Sequence, residues 1–147
     1  MVEVDSTGRT VEPPERPLLP LAAMARAHDP VSTYRVQLEE GLRFDAVTRL
    51  IPYFSALGIS DVYTSPILKP KPHSPHGYDI CDHGAFNPAL GSRQDFETLA
   101  STLRTHRMGL VVDFVPNHMA LHASNRWWRD VLTHGRSSRF AAYFDID

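Results

Sequence analysis

The sequence predicts an α/β fold with a parallel sheet, and three observations carry that prediction. Residues 33–38 alternate in polarity, two later stretches repeat apolar residues at helical spacing and are each followed by a glycine, and residues 110–115 form a near-continuous apolar run. With a further short strand between them, these segments read strand, helix, strand, helix, strand. That is the βαβαβ order in which right-handed crossovers join parallel strands.

The first strand places Tyr34, Val36 and Leu38 on one side and Arg35 and Gln37 on the other, the period of two that a half-covered strand requires. Phe44, Val47, Leu50, Ile51, Phe54 and Leu57 then recur every three or four residues, a helical face that stops at Gly58, where a left-handed cap needs no Cβ. Pro52 is expected to interrupt that helix or to begin its second part. Residues 59–65 read as the second strand, closed by Pro66. The stretch from Lys69 to Gly91, rich in Pro, His and Gly, fits neither period and reads as a long loop of the kind that carries function. Ser92 with Asp95 approximates a capping box, Phe96, Leu99, Ala100 and Leu103 make the next helical stripe, and Gly109 is placed to end it. The run Leu110-Val111-Val112-Asp113-Phe114-Val115 suits a parallel strand covered on both faces. Beyond Pro116 the pattern weakens into a Trp-rich segment, part helix and part loop.

Composition excludes several classes. The 147 residues carry 15 Lys+Arg against 17 Asp+Glu, a formal charge of -2 that gives no electrostatic reason to expect nucleic acid as a partner. No run approaches the ~20 apolar residues of a membrane span, and no apolar targeting segment follows a basic start, so neither a membrane partner nor secretion is expected. A single cysteine, Cys81, rules out an internal disulfide scaffold, and the expected location is the cytoplasm. Residues 1–30 hold five of the twelve prolines and read as a flexible extension, with room for one short helix over 18–27.

In a parallel α/β sheet or barrel, function gathers where the strands end at their carboxyl side. Two clusters fall there. In His76-Gly77-Tyr78-Asp79 the glycine permits a tight turn, the tyrosine offers a flat face on which a sugar ring can stack, and the carboxylate can accept from hydroxyls or an arginine. A loop whose Tyr packs and whose Asp caps a turn fits the same four letters. In Asp113-Phe114-Val115-Pro116-Asn117-His118 a carboxylate lies in an apolar strand, which costs free energy unless a partner meets it. A satisfied structural Asp and a surface His are the alternative. His76, Asp79, Asp82 and His83 offer metal donors within eight positions but match no zinc spacing, so no metal and no cofactor is expected. Trp127, Trp128, Phe140, Tyr143 and Phe144 form either a stacking platform or, given their spacing, the core of a small subdomain.

Taken in order, Leu57-Gly58-Ile59, Thr64-Ser65-Pro66-Ile67, His76-Gly77-Tyr78-Asp79 and Asp113 through Asn117-His118 resemble the opening motifs of the α-amylase superfamily barrel. Within it the chain is most similar to the maltooligosyltrehalose synthase family, through Ser32-Thr33-Tyr34-Arg35, Ser65-Pro66-Ile67-Leu68-Lys69, Asn87-Pro88, Trp127-Trp128 and Phe144-Asp145-Ile146-Asp147. His73 and Arg129 depart from that pattern, where Gly and Trp are frequent.

The resemblance implies the first three β/α units of a (β/α)8 barrel over residues 31–120 and the start of an inserted subdomain over 121–147. It implies a maltooligosaccharide substrate whose reducing-end α-1,4 link becomes the α,α-1,1 link of trehalose with retention. Tyr78 would stack on the glucose ring at the cleavage subsite, Asp79 would pair with an arginine near the nucleophile, and His118 would bond the 6-hydroxyl, with His76 beside them. Asp113 and Asn117 would hold the end of the third strand. In α-amylases the matching Asn also binds calcium, a role not carried over without the other ligands.

A complete barrel takes ~250 residues, so the rest of the barrel is an expected partner, encoded downstream. The family's nucleophile and acid/base lie on later strands, no Gly-x-Arg-x-Asp segment is present, and no catalytic residue is expected in this chain, which reads as inactive alone. A part of another α-glucan hydrolase or transferase, or a glucan-binding remnant, remains the alternative.

Overall fold

The computed structural model describes residues 29–146 and, in addition, the backbone of β1 (Glu3–Val4) and β2 (Thr10–Val11), which pair antiparallel. The rest of the expected N-terminal extension, including the helix anticipated over 18–27, lies outside the described residues.

The alternating segment becomes β3 (Thr33–Val36), followed by α1 (Phe44–Ala56) and β4 (Asp61–Thr64). After an inserted ribbon come α2 (Arg93–Thr105) and β7 (Gly109–Val112). The three strands are parallel in the order β3-β4-β7, with Arg35, Tyr63 and Val111 side by side in one row and Val36, Thr64 and Val112 in the next. Strand order advances in one direction. Both crossover helices enter a single core with Val36 and Val62 from the sheet, Phe44, Val47, Ile51 and Phe54 from α1, and Leu99 and Leu103 from α2. Helices on one face of a sequentially ordered parallel sheet are what a closing barrel needs, whereas a doubly wound sheet reverses order and carries helices on both faces.

Core burial is the main stabilising contribution, at about 1.5–3 kcal/mol for each large apolar side chain removed from water. Phe44 is fully buried and meets Phe86 and Phe96 edge-on, so it ties α1 to the ribbon and to α2. At the end of α1, Gly58 adopts φ +81° as expected. Pro52, however, does not break α1, which runs continuously through it. Its ring lies on the exposed side, where water can satisfy the carbonyl one turn earlier.

The capping box forms: Ser92 Oγ accepts the Asp95 amide at 3.2 Å and the Ser92 amide donates to Asp95 Oδ2 at 2.7 Å. The end of α2 differs from expectation. His106 caps it and Arg107 takes the left-handed conformation, φ +56°, while Gly109 opens β7 and donates to Ser60 O at 2.9 Å.

The stretch after β4 is not a structureless loop either. β5 (Leu68–Pro70) and β6 (Ile80–Phe86) pair antiparallel with two register shifts, and those shifts erase the alternation by which a strand is recognised. The apolar run 110–115 is likewise shorter and barer than expected. β7 ends at Val112, and Val111 and Phe114 are 41% and 55% exposed, because within this chain the helices cover one face of the sheet only.

The Trp-rich segment contains α3 (Arg126–His134), capped by the fully buried Asn125, whose side chain accepts from the amides of Trp127 and Trp128 and donates to Ala120 O. No helix of the described residues is long and apolar enough to cross a membrane.

Candidate functional site

Parallel strands bring their carboxyl ends to one edge, and the chain leaves β3, β4 and β7 there with Gln37, Ser65 and Asp113. Ser65 is buried and its Oγ accepts the Leu38 amide at 2.8 Å, locking the first turn after β3 onto the end of β4. Asp113 is not buried within a strand as the apolar run suggested. It is the first residue past β7, half-buried, and its amide extends the ladder to Thr64 O at 3.0 Å.

Its carboxylate has the partners that such a position requires. Asp113 Oδ2 accepts from the Tyr78 hydroxyl at 2.6 Å and from the Tyr63 hydroxyl at 3.1 Å. Arg35 Nη2 donates to the same Tyr78 oxygen at 2.9 Å, and its guanidinium carbon lies 5.5 Å from the centre of the Tyr63 ring. The hydrogen bond to Asp113 and burial push the Tyr78 phenol up, Arg35 partly opposes them, and the phenol stays a donor through the neutral range.

Tyr78 is presented by a constrained turn. Gly77 is buried at φ +81°, and a Cβ there would come within 3.3 Å of Pro66 O, so any other residue would be strained and crowded. The Gly77 amide donates to Ser74 Oγ at 3.0 Å and the Tyr78 amide to His76 Nδ1 at 3.0 Å. Asp79 is held within the same turn: Ser74 Oγ donates to its Oδ1, Lys71 Nζ lies 3.2 Å from Oδ2, and His76 Nε2 lies 4.0 Å from it. Burial pushes the Asp79 carboxyl up, but the bonds from Ser74 and Lys71 outweigh it and hold the group below the usual carboxylate range. Arg35 thus meets Tyr78, and among the described residues Lys71 and His76 lie beside Asp79.

Asn117 and His118 stand apart from this network. Both are exposed, joined by a 3.0 Å bond between His118 Nδ1 and Asn117 Oδ1. With His83, Trp127, Trp128 and Tyr143 they line a cavity of about 560 Å³. The structure therefore brings Tyr78, Asp113, Asp79 and His76 into one connected network and His118 with Asn117 into a neighbouring concavity. The aromatic group packs on itself beside that cavity, as the core alternative expected. Trp127 stacks on Phe140 with centroids 5.4 Å apart and packs on Tyr143 at 5.1 Å, forming a small core, yet Tyr143 is 69% exposed at the cavity rim.

The four metal donors do not converge. Asp82 accepts the Gly84 amide, and His83 Nε2 lies 3.0 Å from Val115 O. Among the described residues no group of three His, Cys, Asp or Glu side chains could hold a metal ion.

Sequence reasoning missed Arg35 and Tyr63. The alternation itself could have found them, since it sets both on the sheet face opposite the apolar one, an unusual place for a cation and a phenol in a short parallel strand.

Comparison with known proteins adds the lineage. Over 124 residues, 80% of this chain, it is 42% identical to the maltooligosyl trehalose synthase of Mycobacterium tuberculosis, of which it spans 16%. The solved maltooligosyltrehalose synthase from Arthrobacter ramosus superposes with a TM-score of 0.78 at 41% identity, covering 80% of this chain and 16% of that one. A salivary alpha-glucosidase of Anopheles gambiae is 42% identical over a shorter 72 residues, 49% of this chain and 12% of the relative. The family described as alpha amylase, catalytic domain, matches residues 40–145. A one-directional parallel sheet with helices on one face, matched over most of its length by that family, places the chain in the α-amylase catalytic-domain family.

Proposed function

We propose that this chain supplies the first three β/α units of the (β/α)8 catalytic barrel of a maltooligosyltrehalose synthase. The observation that carries the reading is the extent of the likeness. Likeness to the synthases covers 80% of the chain, while the alpha-glucosidase likeness covers 49%. On this reading residues 31–120 belong to the barrel, 121–147 begin an inserted subdomain, and 1–30 are an extension. The whole enzyme works in the cytoplasm, which suits a single buried thiol at Cys81. Its partners are the maltooligosaccharide and the remaining strands of the barrel, with no nucleic acid and no membrane.

The reaction moves the reducing-end glucose from an α-1,4 to an α,α-1,1 link. Retention needs two carboxyl groups ~5 Å apart, one to form a glycosyl-enzyme and one to act as acid and then base. Later strands supply these, and the residues of this chain bind and orient. The Tyr78 ring, its hydroxyl fixed by Asp113, presents a face to the glucose at the cleavage subsite. His118, backed by Asn117, faces the 6-hydroxyl, while Asp79 and His76 complete the polar rim. Asp113 holds the end of β7 against its neighbours.

Incubation with maltopentaose while reducing ends are counted tests this reading. The enzyme that carries this chain should remove reducing ends without releasing new ones, and the isolated chain should leave them unchanged. New reducing ends from the enzyme would make it a hydrolase of the same family, and turnover by the isolated chain would overturn its assignment as a non-catalytic part.

A further inference from the structure

Tyr78 lies on the turn between β5 and β6, where its ring is tilted against the His76 ring, 5.8 Å between centroids. What fixes the ring comes from the sheet. Its hydroxyl donates to Asp113 Oδ2 at 2.6 Å and accepts from Arg35 Nη2 at 2.9 Å, so a cation on β3 and a carboxylate just past β7 hold one oxygen from two sides. Tyr63, on the strand between them, donates to the same carboxylate oxygen at 3.1 Å and lies beneath the Arg35 guanidinium. Arg35 Nη1 also donates to Gln37 Oε1 at 3.2 Å, and Gln37 Nε2 reaches His76 O at 3.4 Å, so the same arginine is linked to the turn's backbone.

Arg35 is exposed and contributes nothing to the apolar core. Its planar donor fork loses less freedom per bond than a lysine would. We propose that Arg35 and Tyr63 are positioning residues for Tyr78, acting through its phenolic oxygen and the shared Asp113 carboxylate to hold the ring in the orientation that receives a glucosyl ring. The inference deepens the functional reading above and rests on it for the identity of the ligand. The geometric part, that Arg35 and Asp113 together fix the Tyr78 hydroxyl, stands without it.

The test therefore has two arms. In the first, the enzyme carrying this chain is made with ring-labelled tyrosine, the Tyr78 resonance is assigned with Tyr78→Phe, and the phenol is titrated by NMR. Arg35→Gln should move the Tyr78 midpoint upward, because a cation beside the phenolate is lost, and Asp113→Asn should move it downward, because an anion that disfavours the phenolate is lost. Unmoved midpoints in both variants overturn the proposal.

In the second arm, the enzyme carrying this chain is assayed with maltopentaose. Arg35→Gln should raise KM roughly tenfold while kcat changes far less, since a charge-assisted hydrogen bond that orders the free site is removed. Arg35→Lys should recover part of that loss, and Tyr63→Phe should show a smaller rise. An Arg35→Gln enzyme with unchanged KM beside a Tyr78→Ala enzyme with raised KM overturns the positioning role. An unchanged KM in Tyr78→Ala overturns instead the reading of Tyr78 as a sugar platform, and the opposite midpoint shifts of the first arm still establish the linkage of Arg35 to Tyr78.

Discussion

The two faces of the three-stranded sheet are built from alternate residues of the same strands, yet they have opposite character. Toward the helices the strands present Val36, Val62 and Thr64, all nearly inaccessible, with Leu110 and Val112 packed against the same core. Toward the other side they present Thr33, Arg35, Tyr63 and Val111, exposed or half-exposed, leading to Asp113 at the carboxyl edge. The first face is held by area removed from water and tolerates little change in volume. The second is held by a few directional bonds among an arginine, two tyrosines and a carboxylate. Apolar burial is thus concentrated on one side of the sheet and directional polar bonding on the other, the division expected where every crossover runs along one face.

The contrast is open to direct attack. Phe44→Ala, on the helix side, should lower unfolding free energy by about 3–5 kcal/mol in a urea titration, since it empties a fully buried ring site. Val111→Ser, on the bare side, should stay within about 0.5 kcal/mol. Equal losses would erase the distinction between the faces.

Asp113→Asn should cost about 1.5 kcal/mol, because two hydroxyl donors lose a charged acceptor while the core is untouched. A loss as large as that of Phe44→Ala would mean that the carboxylate network, and not apolar burial, holds the sheet. Ser92→Ala should cost about 1 kcal/mol through the lost capping box of α2, with the Tyr78 resonance unmoved. A shifted resonance would show that the two faces are coupled through α2.

The smallest effect concerns acid. Asp79 has a lowered carboxyl value in the folded state, so its contribution is complete above the ordinary carboxylate range and is lost as pH falls through the folded value. Ser74→Ala removes one of its donors and should flatten that acid-side decline, with denaturation midpoints at neutral and acid pH drawing closer. An unchanged slope would place the acid sensitivity of the chain elsewhere.

Much of this molecule is legible in its residues because the relevant forces are local. The alternation of 33–38, the stripe from Phe44 to Leu57 and the Ser92–Asp95 box each encode their own conformation, and each element forms. Expectation fails where an element is decided by what it meets. Pro52 is tolerated because its side of α1 faces water, and β5 and β6 pair despite lacking alternation because their register slips. The motif residues Tyr78, Asp79, Asp113 and His118 stand out in the sequence by type and position. Their grouping does not, since it depends on side-chain direction at the ends of strands far apart in the chain.

The sequence by itself determined the order of the three parallel strands and two crossover helices, the apolar face and the identity of the tetrapeptide at Tyr78, because periodicity, caps and a glycine turn are short-range properties. Only the tertiary structure decided that Arg35 and Tyr63 join Tyr78 and Asp113. Parallel register sets residues 35, 63 and 111 in one row on the uncovered face, and a hydrogen bond between positions 43 and 35 residues apart exists only after the crossovers have closed that row.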